Sequence, residues 1–236
     1  YHVTYDTTAH TAIGTATGVG GVDLSGDLDL GGTTHTAAGT YNGDAWTFSG
    51  GTNYNDDSGT INDVIDKADA SVLVNGYSGT YDAAAHGATL DHATGVGGAD
   101  LSSGVNLGST FTDVPGGTAH WTFSYANYND QSGDVAITIS KADATISVTP
   151  YSVTYNATSH IATGSATGVL GESLSGLDLS GTTHTHAGNY TDTWTFTDVT
   201  GNYNDDTGQV NDVISKANAT ISVTPYSVTY DAASHT

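Results

Sequence analysis

The 236-residue chain contains no cysteine and no arginine, and only three prolines and three lysines. Without cysteine, neither disulfide stapling nor thiol chemistry is available. That absence fits repetitive bacterial surface chains better than small eukaryotic secreted domains, which lean on disulfides. Three cations stand against 25 acidic residues, for a formal net charge of −22. Phosphate recognition needs clustered Lys and Arg, so no nucleic-acid partner is expected, and an anionic membrane is repelled. The acidic surface attracts cations and favours solubility. No stretch of 18 apolar residues is present, so this segment is not expected to insert into a membrane. There is no methionine and no signal peptide, which reads as a piece of a longer chain. The nucleophile elbow, the P-loop, the His-Glu-x-x-His zinc motif and the dinucleotide fingerprint are all missing, and the single glutamate is Glu172. The expectation is a protein that is not an enzyme.

What is present is repetition. Residues 141–155, KADATISVTPYSVTY, return at 216–230 as KANATISVTPYSVTY, and a worn copy, KADASVLVNGYSGTY, occupies 67–81. The chain opens partway through another copy, at YHVTY. The leading tyrosines Tyr1, Tyr77, Tyr151 and Tyr226 set a period of 74 to 76 residues. A unit of that size can bury a modest core of its own. The boundaries expected are 1–69 for a first repeat lacking its first strand, 70–143 and 144–218 for two full repeats, and 219–236 for the opening strands of a fourth. Strand leads into strand with no flexible linker between repeats.

Short alternating runs bounded by Gly, Asn and Asp give an all-β pattern, with no sustained helical period. In the repeated run, Ile146 and Val148 share one parity, and Tyr151, Val153 and Tyr155 share the other. A continuous strand cannot change parity without turning its apolar face to water. The strand is therefore expected to bend at Pro150 and change sheet, with Gly76 and Pro225 marking the same break. Tyr190, Asp192, Trp194 and Phe196 form an aromatic-rich face, and each repeat has one Trp-Thr-Phe, at Trp46, Trp121 and Trp194. An extra residue near Gly43-Asp44 predicts a β-bulge. The second repeat lacks the tyrosine of this strand, so its core is expected to be poorer. Seven or so short strands around a Trp suggest a small two-sheet sandwich of immunoglobulin-like topology, three in a linear array.

The motifs TISVTPYSVTYDAASH, GTTHTHAGNYTDTWTF and GNYNDDTGQVNDVISKA resemble the MBG/YDG-type bacterial immunoglobulin-like tandem repeats of large secreted or surface proteins. The second repeat departs, with Gly-Gly-Thr-Ala at 116–119 in place of Ala-Gly-x-Tyr. The resemblance implies a stalk, adhesin or filament role and carries no catalytic residues.

Four groups of residues are candidate sites. The acidic turns, Asn53, Asn55, Asp56 and Asp57, then Asn127, Asn129 and Asp130, then Asn202, Asn204, Asp205 and Asp206, offer the oxygen ligands calcium takes, although hairpin turns favour the same residues for backbone reasons. The recurring His10, His86, His160 and His235 each follow a tyrosine by five residues and read as structural hydrogen-bonding groups. His184 and His186 form a His-x-His pair, short of the three or four converging ligands zinc needs. Lys67, Lys141 and Lys216 sit at repeat junctions, with Asp63 and Asp212 shortly before two of them. A junction salt bridge or a solvated stem is the expectation, and a Lys–Asn cross-link is the alternative. Asn156, Asn189 and Asn218 lie in N-x-[ST] sequons for glycosylation.

The function expected is a non-enzymatic, extracellular or cell-surface structural array: stalk, matrix fibre or filament. The alternative is an adhesin repeat binding glycan or a partner surface. Partners would be neighbouring repeats or copies of the chain itself. The first repeat lacks an ATISVTP strand and the C-terminus carries a spare one. A longer array cut at both ends and head-to-tail strand donation both explain that pattern.

Overall fold

The computed structural model describes residues 1–236, and the chain is all-β with no α-helix. Three similar, curled, mixed sheets repeat along it. Each is a half-barrel, rather than one half of a cleanly paired sandwich. The chain divides into two compact units, Tyr1–Lys141 and Ala142–Thr236.

The first unit holds two repeats. Repeat 1 has β1 (His2–Thr4), β2 (Leu28–Asp29), β3 (Gly39–Phe48) and β4 (Asp57–Asp66), ordered β1-β4-β3-β2. Repeat 2 has β5 (Ser71–Asn75), β6 (Tyr77–Thr80), β7 (Thr89–Thr94), β8 (Val105–Asn106), β9 (Gly116–Phe123) and β10 (Gln131–Ser140). Its half-barrel is β6-β10-β9-β8, and β5 pairs with β7 in a second, two-stranded sheet. The two repeats touch where the ring of Tyr5 meets that of Tyr128 edge-on at 5.6 Å, and where the Ala38 N–H donates to Asn127 Oδ1 at 2.8 Å.

The second unit holds repeat 3: β11 (Thr145–Thr149), β12 (Ser152–Thr154), β13 (Thr163–Thr167), β14 (Ser173–Leu174), β15 (Leu177–Asp178), β16 (Gly188–Phe196) and β17 (Asp206–Ser215). The half-barrel is β12-β17-β16-β15, and β11-β13-β14 forms the second sheet. Residues 216–236 belong to no strand and are exposed throughout.

The break at Pro150 does what the parity change requires. Before it, β11 runs antiparallel to β13 in the second sheet; after it, β12 runs parallel to β17 in the half-barrel. Gly76 divides β5 from β6 in the same way, and β6 runs parallel to β10. Gly76 also lies so close to its neighbour that an added Cβ would be 2.2 Å from the Ala136 carbonyl oxygen. At Pro225 no strand forms on either side.

Each half-barrel is built on one long antiparallel pair. In repeat 1 the register of β3 on β4 shifts between Asn42 and Asp44, with Gly43 at a φ of 80°, which is the expected bulge. Each tryptophan faces a glycine across the pair: Trp46 opposite Gly59, Trp121 opposite Gly133 and Trp194 opposite Gly208. The indole lies over the bare glycine, so a Cβ at Gly208 would sit 2.4 Å from Trp194 Cζ2. Further along the strand, Phe123 and Phe196 are fully buried, whereas Phe48 is only half-buried.

The glycine under the indole leads to a prediction. Gly208→Ala forces Trp194 off its seat and destabilises repeat 3 by about 1–3 kcal/mol, the usual penalty of overpacking. Amide hydrogen exchange should accelerate in β16 and β17 and stay unchanged in β3 and β4. Unaltered protection in β16 would remove the steric argument.

Candidate functional site

The one place where titratable groups gather beneath the sheet is a polar cluster found in repeats 1 and 3. Its frame is local. In repeat 3 a short 3₁₀ turn, Ser180–Thr182, buries Thr182 completely. The Thr182 hydroxyl accepts the Ala162 N–H at 2.9 Å and donates to the Leu179 carbonyl at 2.8 Å. Thr33 repeats both bonds with Ala12 and Leu30. The Tyr151 hydroxyl donates to the Thr182 carbonyl, and the Tyr1 hydroxyl to that of Thr33.

Against this frame, β17 presents Asp212, wholly buried, whose Oδ1 accepts the Tyr151 N–H at 2.8 Å. Asp63 occupies the equivalent place, with the Tyr1 nitrogen 2.5 Å from Oδ1. The Oδ2 of both aspartates has no hydrogen-bond partner. His184 reaches Asp192 at 2.9 Å and stacks on Tyr190, with ring centroids 3.6 Å apart and planes within 5°. His35, Asp44 and Tyr41 reproduce this, at 2.9 Å and 3.5 Å. Burial pushes the Tyr151 phenol above its ordinary pKa, and the carboxylates of Asp212 and Asp192 push the same way. The Tyr1 phenol is raised for the same reasons, by burial first and then by Asp63 and Asp44.

Repeat 2 keeps the leading tyrosine, Tyr77, but has neither the buried aspartate, nor the His–Asp pair, nor the second tyrosine. The registers place Ile137 where Asp63 and Asp212 stand, Gly117 where Tyr41 and Tyr190 stand, and Phe111 where His35 and His184 stand. Ala119 replaces Asp192, since each directly faces the valine of the last strand, Val135 or Val210. Ala119 and Ile137 are fully buried. The Phe111 ring fills the space above Gly117 so completely that a Cβ there would come within 2.3 Å of it. The expectation of a poorer core in repeat 2 is therefore corrected: the missing tyrosine is replaced by a phenylalanine from the neighbouring segment, and the core is closed and apolar.

Chemically the cluster is a hydrogen-bonded strut. Neither His35 nor His184 bonds to a hydroxyl or thiol that it could activate, and each is committed to a carboxylate. Asp212 offers one free oxygen, a single ligand where zinc takes four.

The four candidate groups separate in space. The recurring histidines close a local turn: His10 Nε2 lies 2.9 Å from Asp6 Oδ1, His86 2.8 Å from Asp82, His160 3.0 Å from Asn156 Oδ1 and His235 2.8 Å from Asp231. The turn needs a left-handed residue, and Thr7, Ala83, Ala157 and Ala232 all have positive φ. Bonds from the Thr8 hydroxyl, the Thr8 N–H and His10 hold the Asp6 carboxyl down to about 2. His186 is exposed and does not join His184. The lysines are exposed and form no ion pair, so of the two expected arrangements the structure shows the solvated stem. Asp63 and Asp212, shortly before Lys67 and Lys216, are instead sealed beneath the sheet.

In the acidic turns, backbone N–H groups already claim carboxylate oxygens. Gly50 donates to Asp56 Oδ1, Ser58 to Asp57, Asp198 to Asp205 and Thr207 to Asp206. Asn129 and Asn204 reach back to Asp69 and Asp143. Asn127 Oδ1 accepts the Ala38 N–H, while Asn202 is buried. Asn53, Asn55 and Asp130 are exposed. Asp143, Asn204, Asp205 and Asp206 line a polar cavity of about 300 Å³. No group of three or more His, Asp or Glu side chains is arranged as metal ligands would be. Of the sequon asparagines, Asn189 and Asn218 are exposed, and Asn156 is exposed with its side chain bonded to Thr158 and His160.

No protein-family model matches the chain, and no curated protein sequence matches it.

The polar and apolar versions of the cluster predict strong coupling. Asp192→Ala alone strands His184 and should cost repeat 3 about 1–3 kcal/mol. Adding His184→Phe, Tyr190→Gly and Asp212→Ile installs the repeat 2 solution and should recover most of that loss, a non-additivity of about 1–3 kcal/mol. Urea unfolding read by hydrogen exchange in β16 measures it. Losses that simply add would mean the four positions do not act together.

Proposed function

We propose that this chain is a non-enzymatic structural segment of an extracellular bacterial stalk, matrix fibre or filament, built from immunoglobulin-like repeats of the MBG/YDG type. The observation that carries the reading is how one repeat passes to the next within the first unit. β4 ends at Asp66, and after Lys67 alone, Ala68 is already bonded into repeat 2: its N–H donates to the Asn127 carbonyl and its carbonyl accepts the Asn129 N–H, both at 2.9 Å. One residue of linker leaves no slack. The immunoglobulin-like assignment is supported by the sheet-switching first strand, which pairs antiparallel on one side of the break and parallel to the last strand on the other.

The parallel pairing suits a chain under tension. The chain enters repeat 3 along β11, crosses into the half-barrel as β12 and leaves along β17, and β12 and β17 run in the same direction. Pulling the two ends apart shears the pair, so its hydrogen bonds are strained together rather than one at a time.

Stretching the chain from its termini should therefore give discrete unfolding steps. Each releases about 75 residues, ~25 nm at ~3.5 Å per residue. A smooth extension like that of a random coil would argue against a mechanical role. Specific, saturable binding on a glycan array would favour the adhesin reading instead.

Calcium at the acidic turns belongs to the same proposal, with the Asp143 and Asn204–Asp206 cavity as its best-formed place. Millimolar calcium should then raise the melting temperature of repeat 3 over its value in EDTA, by about 4–8 °C per kcal/mol of binding. Identical melting in the two buffers removes calcium from the account.

A further inference from the structure

Two strands of the second sheets lie at open edges. In repeat 3, β11 ends the order β11-β13-β14 and has β13 as its one ladder partner. In repeat 2, β5 pairs with β7 alone. The outer side of each therefore presents a row of backbone N–H and C=O groups that another strand can take up. Both edges are five residues long. The other strands that end a sheet have two to four residues, apart from β7, whose outer side is already met at one end by Asp100 and Leu101.

Neither edge carries the devices that keep strands apart. Thr145–Thr149 and Ser71–Asn75 contain no charged residue and no proline. β11 runs against β13 through five consecutive pairs without a bulge. In β5 the register shifts between Leu73 and Val74, but the extra residue, Asp91, lies in β7. On a chain of net charge −22, these uncharged strips are where two copies can approach without opposing carboxylates. Apolar surface remains there: Ile146 faces the fully buried Ala166 yet is itself half-buried, and Leu73 is 46% exposed. Both side-chain orders read alike in either direction. Antiparallel self-pairing about Ser147 sets Thr145 opposite Thr149 and Ile146 opposite Val148. Self-pairing about Leu73 sets Ser71 opposite Asn75 and Val72 opposite Val74. Polar then meets polar and β-branched meets β-branched, the pairs that stabilise a ladder. Carried outward, the same registers put Asp143 opposite Tyr151 and Asp69 opposite Tyr77, so no acid meets an acid.

We propose that the outer edge of β11 is a docking site for the same edge of a second copy of this chain, in antiparallel register about Ser147, and that β5 pairs likewise about Leu73. The contact is isologous, one surface meeting itself across a two-fold axis. In repeat 3 it merges two three-stranded sheets into one of six. The two-way side-chain order selects a second copy over a foreign strand, because the identical strand matches every position and brings no charge. The inference gives the stalk or fibre reading a lateral partner and rests on that reading for its purpose only. Side-by-side pairing and stepwise unfolding under tension are separate measurements, and either can fail while the other holds.

The absence of cysteine provides the test. In antiparallel partners, directly opposite Cα atoms lie about 4.5–5.5 Å apart, within disulfide reach. Ser147 faces its own copy at the two-fold axis, so the full chain carrying Ser147→Cys alone should give a reducible dimer as its main product on mild oxidation. Two copies of Thr145 lie four residues apart along the ladder, about 13 Å at ~3.3 Å per residue. Thr145→Cys alone should therefore stay monomeric, and so should Thr149→Cys alone. An equal mixture of those two chains should dimerise, each dimer holding one of each. All three side chains are exposed, so the folded repeat does not depend on them. Adding Thr145→Lys and Thr149→Lys to Ser147→Cys sets lysine against lysine and should abolish the dimer while leaving the urea midpoint of repeat 3 in place. A Ser147→Cys chain that stays monomeric, Thr145→Cys alone dimerising as readily as the mixture, or a dimer indifferent to the lysines would each overturn the proposal.

Discussion

The constraint on which the rest of this architecture depends is the change of parity at Pro150. Ile146 and Val148 need one apolar surface, and Tyr151 and Val153, beginning three residues after Val148, need the opposite one. A single sheet cannot satisfy both. The chain resolves the conflict by giving each half of the run to a different sheet, β11 to β13 and β12 to β17. Proline suits the crossing because a residue there has no ladder bond to donate. Gly76 serves as well for a different reason: the backbone passes so near Ala136 that no side chain fits. Everything downstream follows. The first half of the run closes the second sheet, the second half opens the half-barrel, and the residues just before it bond to the Asn-Tyr-Asn turn of the same repeat.

Between the crossing strand and the long hairpin lies a core with two distinct solutions. In repeat 3 the buried Asp212 receives the backbone N–H of the first tyrosine, in repeat 1 Asp63 lies against the Tyr1 nitrogen, and in both a His–Asp pair stacks on a second tyrosine. Repeat 2 replaces the set with Ile137, Phe111, Gly117 and Ala119. An isolated buried carboxylate is costly unless it is bonded, and Asp63 and Asp212 each leave one oxygen unmet. A lone isoleucine beside the remaining histidine and aspartate would strand those groups instead. The two solutions are internally consistent and their mixtures are not, which accounts for the replacement appearing as a block.

Much of this was legible in the sequence, and the parts that were not share a cause. The period, the all-β class, the strand break and the bulge near Gly43 follow from spacing and parity, which act within a few residues. Asp63 and Asp212 stand out in the sequence, since each shares the parity of its strand's apolar residues, Ile61 and Ile65 or Val210 and Ile214. Their setting does not, because His184 finds Asp192 only after the chain has turned through Ala187 and the long strand has set its register. The link between Phe111 and Gly117 was hidden for the same reason: the ring arrives from a different segment than the tyrosine it replaces. The curl into half-barrels, rather than flat layers of a sandwich, also depends on twist accumulated over whole strands. The left-handed Thr7, Ala83 and Ala157 gave no signal at all, since none is a glycine or asparagine.

The four copies of the opening run separate what the chain encodes locally from what it obtains by packing. The tail copy has no sheet to join, yet His235 still bonds Asp231 and Ala232 still takes a positive φ. Tyr226 and His235 keep the tilted approach of Tyr1 and His10, with centroids 5.7 Å apart against 5.8 Å. The turn is therefore local. The strand before it is not: ATISVT is a ladder partner at 144–149 and bare backbone at 219–224, with identical side chains. Only the presence of an open edge distinguishes the two. Repeat 1 shows the reciprocal case, an edge whose residues 13–17 remain outside any ladder while the half-barrel beside it is complete. The half-barrel forms without the second sheet, whereas the second sheet does not form without the crossing strand.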